Sequence, residues 1–177
     1  YYKTDPHWRQ ECLQDVVDTL GKTMVFSVDL STFTANTTTE GITGQHGQGK
    51  KDFPTETLTY LTSPITDDAV VTSAEVEGTL PVYTLNQWEE SLDGYNIFLN
   101  GPQAVLTVEN PHATSQRELI LIRDSFGSSI APLLMESYSK ITLVDLRYIA
   151  PDLLPEYVDL ESADDVLMLF SVQLLNA

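Results

Sequence analysis

The spacing of apolar residues changes character several times along the chain. In residues 5–20, DPHWRQECLQDVVDTL, the residues Trp8, Cys12, Leu13, Val16, Val17 and Leu20 recur at helical spacing. Asp5 suits an N-cap, Pro6 the first helical position and Gly21 a stop, so the spacing predicts a helix over 5–20. TMVFSVDL, 23–30, reads as a strand. Residues 31–52, STFTANTTTEGITGQHGQGKKD, lose all periodicity and are rich in Thr, Gly, Gln and Asn. They predict a long mobile loop.

Strand signals return between 56 and 109. ETLTYLT alternates in part, and AVVTSAEVEGTLPVYTL reads as two extended segments around Gly78. YNIFLNG and AVLTVEN follow, split by a turn at Asn100 to Gln103, and NQWEESLD reads as a short helix. The last third differs again. ELILIRDS, KITLVDLR and DVLMLFSV are short continuous apolar runs, the pattern of parallel strands buried on both faces. FGSSIAPLLMESY lies between the first two and reads as a helix capped by Ser128 or Ser129, with Pro132 in its first turn. PDLLPEYVDLESAD, between the second and third, reads as a short helix or irregular crossover. Strand, helix, strand, helix, strand implies an α/β sheet with right-handed crossovers.

Composition narrows the function classes. The 177 residues, 42% apolar, suffice for one domain with its own core. No apolar run approaches 18 residues, so no direct membrane insertion is expected of this segment. The formal net charge of −17 argues against nucleic acid and anionic membranes as partners, and leaves neutral or cationic ligands such as sugars. Cys12 stands alone, which excludes an internal disulfide and a CxxC motif. His7, His46 and His112 have no second ligand at metal spacing, and no metal is expected. His46 reads as a solvated loop residue. GxGxxG and GxxxxGK[ST] are missing, and no cofactor is expected. The chain opens without a methionine, so upstream sequence is expected to be missing.

In an open parallel sheet, ligands bind beyond the carboxyl ends of the strands. The three apolar runs lead there into Arg123, Asp124 and Ser125, into Asp145 and Arg147, and into Gln173 and Asn176. Ser125 sits where a buried strand turns into a helix. Such a turn exposes the hydroxyl and aims backbone N–H groups at whatever sits on it. GxSxG is missing, so an ordinary α/β-hydrolase elbow is not supported. DSFGSS can equally be a polar turn that caps a helix. A serine nucleophile needs a base, and the base needs an orienting group. His7 has Asp5 two residues before it, and a carboxylate there can accept from Nδ1–H while Nε2 faces the serine. Asp5 can also simply cap the helix, or do both, since a carboxylate has several acceptor sites.

Three stretches in order resemble a known family. YYKTDPHW, 1–8, resembles the YxxTDxHW signature of the DHHW proteins of Gram-positive bacteria, shared with the SGNH-like O-acetyltransferase proteins of alginate and related exopolysaccharide systems. LDGYNIFLNGPQAVLTVENP, 92–111, resembles the segment before their serine. ELILIRDSFGSSIAPLLMESYSKITLVDLRYI, 118–149, resembles their strand–DS–helix–strand–D-x-RY block. Pro6 replaces the first histidine of D-H-H-W.

The resemblance implies one SGNH-like domain over 1–177, a three-layer α/β/α, flavodoxin-like parallel sheet with a β-rich middle segment and a mobile 31–52 loop. It implies Ser125 as nucleophile, His7 as general base and Asp5 as orienting acid. Arg147 is a candidate for substrate binding or charge stabilisation. Asn176, Gly127 and the Ser125 N–H are candidates for an oxyanion hole. The implied function is a serine esterase or O-acetyltransferase acting on acetylated cell-envelope or exported polysaccharide, outside the cytoplasm. Two alternatives stand beside it: a non-catalytic carbohydrate-binding or envelope-assembly module that keeps the fold, and a structural domain in which Asp5 and Ser125 only cap.

Overall fold

The three apolar runs of the last third form parallel strands, as their continuous hydrophobicity predicts. The computed structural model describes residues 1–38, 41–85 and 93–176. Strand β6 (Glu118–Arg123) pairs in parallel with β7 (Lys140–Val144) on one side and β8 (Asp165–Leu169) on the other. The sheet does not stop there. β5 (Val105–Glu109) pairs antiparallel with β7, β3 (Val70–Ser73) with β5, and β4 (Thr79–Leu80) with β3. The order is β4-β3-β5-β7-β6-β8, so the expected parallel sheet is a mixed one, with the β-rich middle segment as its antiparallel half. The β3–β4 hairpin turns through Gly78, whose φ of 88° favours glycine. A separate two-stranded sheet joins β1 (Thr34–Thr37) to β2 (Thr59–Thr62).

Alternation along β6 sends its side chains to two cores. Leu119 and Leu121 pack with Val17 and Met24 of α1 (Gln14–Met24) and with Ile130, Leu133 and Leu134 of α3 (Phe126–Leu134). Ile120 and Ile122 pack on the opposite face with Val144, Ile149 and Val158, against which Leu154 of α4 (Leu154–Tyr157) is laid. Both faces of the central strands are therefore covered, which is the physical reason for their unbroken apolar runs. β8 is different. It is an edge strand, and Val166 and Met168 face outward, so its run is not fully buried as its sequence predicts.

Several elements differ from their sequence expectations. The helix begins at Gln14, after a 3-10 turn at Gln10–Cys12, and runs through Gly21 to Met24. Residues 23–30 form no strand: Val25, in the left-handed conformation, ends the helix, and a 3-10 turn follows at Leu30–Thr32. Residues 31–52 carry β1, a 3-10 turn at Gln45–Gly47 and a bridge from Ile42 to Glu56. YNIFLNG makes a 3-10 turn at Gly94–Ile97 rather than a strand. α3 starts at Phe126 with Ser125 at its N-cap, which puts Pro132 inside the helix and not in its first turn. The short helix expected over NQWEESLD falls on 86–93, almost all of it outside the described residues. The remaining helices are short: α2 (Pro64–Asp68), closed by a Ser63–Thr66 capping box, and α5 (Val172–Leu175), which follows β8.

Candidate active site

The strand-end turn after β6 is held from several sides. Asp124, almost fully buried, accepts the Phe126 N–H on Oδ1 at 3.0 Å and the Ser171 N–H on Oδ2 at 2.7 Å. Its own N–H donates to Leu169 O at 3.3 Å, and Gly127 N–H and Ser128 N–H donate back to Asp124 O and Ser125 O at 3.0 and 3.1 Å. A Cβ on Gly127 would come within 2.5 Å of Arg123 Cβ, so only glycine lets α3 settle this close to the end of β6. The result is a fixed turn with the half-buried Ser125 at its corner.

The amino-terminal segment lies across that corner. His7 Nε2 is 2.7 Å from Ser125 Oγ, spanning 118 residues of chain. His7 Nδ1 is 2.6 Å from Asp5 Oδ1. Asp5 and His7 are 1% and 2% exposed. Asp5 Oδ1 also accepts the His7 N–H at 3.0 Å, and Oδ2 accepts the Gln45 N–H at 2.9 Å. Burial pushes the Asp5 carboxyl up, but these hydrogen bonds from the His7 ring and the two backbone N–H groups outweigh it and hold the group below the usual carboxylate range. Asp5 therefore stays anionic and fixes the imidazole with its proton on Nδ1, leaving the Nε2 lone pair toward the serine.

The 31–52 segment builds part of this wall. Gly44 packs so closely on the chain that a Cβ there would meet Thr4 O at 2.4 Å and Asp5 Cβ at 2.5 Å. His46 N–H donates to Thr4 O at 3.0 Å, and Glu56 accepts from Thr4 N–H and Oγ1 at 2.6 and 2.8 Å. These contacts keep Thr4 and Asp5 in a bend, not a helix N-terminus. Asp5 spends its oxygens on His7 and Gln45, and caps no helix.

Two residues assigned no part in the site from the sequence, Tyr95 and Ser129, complete the surroundings. The Tyr95 ring lies flat on the His7 ring, with centroids 3.9 Å apart and an interplanar angle of 7°. Its hydroxyl donates to Ser129 Oγ at 2.6 Å, which also accepts from Trp8 Nε1 at 2.7 Å and donates to Phe126 O at 3.3 Å. Burial raises the Tyr95 phenol well above its ordinary value, so it remains a neutral donor. Gln10, fully buried, donates to Ser129 O at 2.7 Å and accepts from Leu61 N–H at 2.7 Å. The histidine is thus clamped to α3 by a network with every member paired. Nothing in the local sequence of Ser129 or Tyr95 marks this, because the contacts span 34 to 121 residues.

The other sequence candidates fall elsewhere. Arg147 grips the buried Asp145 in a bidentate pair, Nε to Oδ1 at 2.9 Å and Nη2 to Oδ2 at 2.6 Å, and no contact joins it to Ser125. Asn176 is exposed and donates its amide to Val172 O at 2.9 Å, within the turn of α5. The Gly127 N–H is already spent on Asp124 O. These geometries correct the oxyanion expectation for Asn176 and Gly127. Among the described residues, the N–H of Ser125 meets no acceptor, so it is the donor left at the corner. Beneath it lies Arg123, 1% exposed, with Nη1 3.1 Å from Ser128 Oγ and 3.7 Å from Asp145 Oδ2. Burial lowers its guanidinium from the ordinary value, and the charge of Asp145 opposes that.

Comparison with known proteins places the fold. The chain is similar to a DHHW family protein from Eubacterium siraeum, with a TM-score of 0.73 at 21% identity over 96% of this chain and 58% of that one. It is similar to PatB1 of Bacillus cereus, with a TM-score of 0.69 at 19% identity over 97% of this chain and 62% of that one. PatB1 with a sulfonyl adduct gives 0.68 at 18% identity, over 97% and 60%. The chain spans about 58 to 62% of the length of these structures. These likenesses bear out the α/β fold class expected from the sequence. No family model matches the sequence, and no curated protein matches it.

Proposed function

We propose that the chain is a serine esterase or O-acetyltransferase acting on acetylated cell-envelope or exported polysaccharide outside the cytoplasm. The observation that carries this reading is the hydrogen-bonded line Asp5–His7–Ser125, with Nδ1 and Nε2 of one buried imidazole engaged at 2.6 and 2.7 Å. Ser125 Oγ attacks the ester carbonyl while His7 Nε2 takes its proton. The C–O bond to the sugar breaks, and the sugar oxygen leaves with the proton held on Nε2. Water or a second sugar hydroxyl then gives its proton to His7 Nε2 and attacks the acyl carbon; the bond to Ser125 Oγ breaks, Oγ takes that proton back, and the acid or a new ester leaves. The Ser125 N–H is the donor for the oxyanion.

PatB1 supports the nucleophile reading, since a sulfonyl adduct is the product a sulfonylating reagent leaves on a reactive nucleophile. Acetate release from an O-acetylated glycan tests the proposal. The wild-type protein should release it, and Ser125→Ala and His7→Ala should each lose at least a hundredfold in kcat. Equal activity in the Ser125→Ala variant overturns the reading. Glycan binding with no acetate release in any of the three favours a binding module on the same fold.

A further inference from the structure

A half-open cleft of about 290 Å³ is lined by chain neighbours of the Ser125–His7 pair. Pro6 and Trp8 flank His7, Phe126 follows Ser125, and Leu169 and Phe170 close it from the end of β8. That strand end is tied to the serine turn through Asp124, which donates its N–H to Leu169 O and accepts from Ser171 N–H. The Phe126 ring borders both spaces: it is tilted against His7 at 4.9 Å and meets Trp8 edge-on at 5.2 Å.

Size and chemistry point to one kind of occupant. A liquid water takes about 30 Å³, so the methyl of an acetyl ester fills only a small part of the space. Among the described residues, no charged side chain lines the cleft. Its polar groups are few, and two of them are engaged. Trp8 Nε1 donates to Ser129 Oγ, and Ser171 Oγ accepts the Leu174 N–H at 3.3 Å. Gln173 and the Tyr1 hydroxyl remain. A sugar ring buried here would leave several hydroxyls unpaired, at a cost. A hydrocarbon chain needs no partner, and each methylene that it buries is worth roughly fourfold in affinity.

We propose that this cavity holds the acyl chain of the ester, so that the enzyme accepts esters of medium-length apolar acids as well as acetate. The inference rests on Ser125 acting as the nucleophile. The bond between acyl carbon and alcohol oxygen breaks as the Ser125 Oγ–acyl bond forms. The alcohol leaves with the proton carried by His7, and the chain stays in the cavity until water or a hydroxyl releases it.

The test is a chain-length series, p-nitrophenyl acetate, butyrate, hexanoate and octanoate, at one pH with the whole chain. kcat/KM for hexanoate should exceed that for acetate at least tenfold. Val172 lines the cavity yet is 72% exposed, so Val172→Asp puts a carboxylate at the rim of a folded protein. It should lower the hexanoate-to-acetate ratio at least fivefold. Met168→Asp, 65% exposed in β8 and outside the cavity, should leave that ratio unchanged. A wild-type preference for acetate, or an equal fall of the ratio in both variants, overturns the proposal. Ser125-dependent turnover with a flat chain-length profile removes the acyl cavity and leaves the nucleophile reading standing. No Ser125-dependent turnover at any length removes both.

Discussion

Tyr95 lies parallel to His7, ring on ring at 3.9 Å, and its hydroxyl reaches Ser129 on the helix that begins at the candidate nucleophile. An aromatic face attracts a cation placed over it. The stack therefore favours the imidazolium that forms when His7 takes the serine proton. Tyr95→Leu removes the face and should lower kcat on an acetyl ester about tenfold. Tyr95→Phe keeps the face and loses one hydrogen bond. It should leave kcat close to that of the wild type and cost about 1 kcal/mol of stability. The groups facing His7 are Asp5, Ser125, Tyr95 and Phe126, and Asp5 is the only one charged at neutral pH. An unchanged kcat in Tyr95→Leu would contradict this role.

Asp5 sets the tautomer of His7. In Asp5→Asn the side chain can turn its NH₂ toward Nδ1, which places the imidazole proton on Nε2 and leaves the serine without a base. Loss of activity of roughly 1,000- to 10,000-fold is expected, with His7 still folded in place. Steady-state kinetics on an acetyl ester reads this directly.

The same carboxylate links stability to acid. Asp5 holds its charge to lower pH in the fold than in the unfolded chain, whose value is about 3.9. Its contribution is therefore complete above that value and drains away as pH falls through the folded one. Thermal melts at about pH 6 should show wild type more stable than Asp5→Asn, and the gap should narrow as pH falls below the ordinary carboxylate range. A gap that widens on acidification would reverse the sign and contradict the assignment.

Asp145 is fully buried between Arg147, which chelates it, and Arg123, which has almost no exposure. Removing one side of such a pair leaves a charge without its partner. Asp145→Asn should cost about 3–5 kcal/mol in urea unfolding, more than Arg147→Met, whose head is half in water.

The candidate site was legible in the sequence where chemistry is local. An Asp two residues before a His, and a serine at the end of a buried strand, are short-range patterns. The elements went wrong where tertiary packing overrode them. Gly21 reads as a helix stop, but the helix runs past it. A Cβ there would meet Phe26 O at 2.4 Å, so glycine is needed for the chain folding back after Val25. Asp5 and Pro6 read as a helix start, but contacts from Gln45 and Glu56 hold them in a bend. The helical stripe holds from Leu13 onward. Likewise β8 looks buried because Leu167 and Leu169 pack on the core, while the sequence does not tell that among the described residues no strand pairs beyond it.

The central claim is that acyl groups pass through Ser125, and trapping the acyl-enzyme tests it most directly. The protein is mixed with an activated acetyl ester, quenched in acid within the first turnover, digested and weighed by mass spectrometry. One acetyl group is expected on the peptide carrying Ser125, lost in Ser125→Ala and greatly reduced in His7→Ala. An acetyl group on another residue, or unchanged turnover in Ser125→Ala without any adduct, contradicts it.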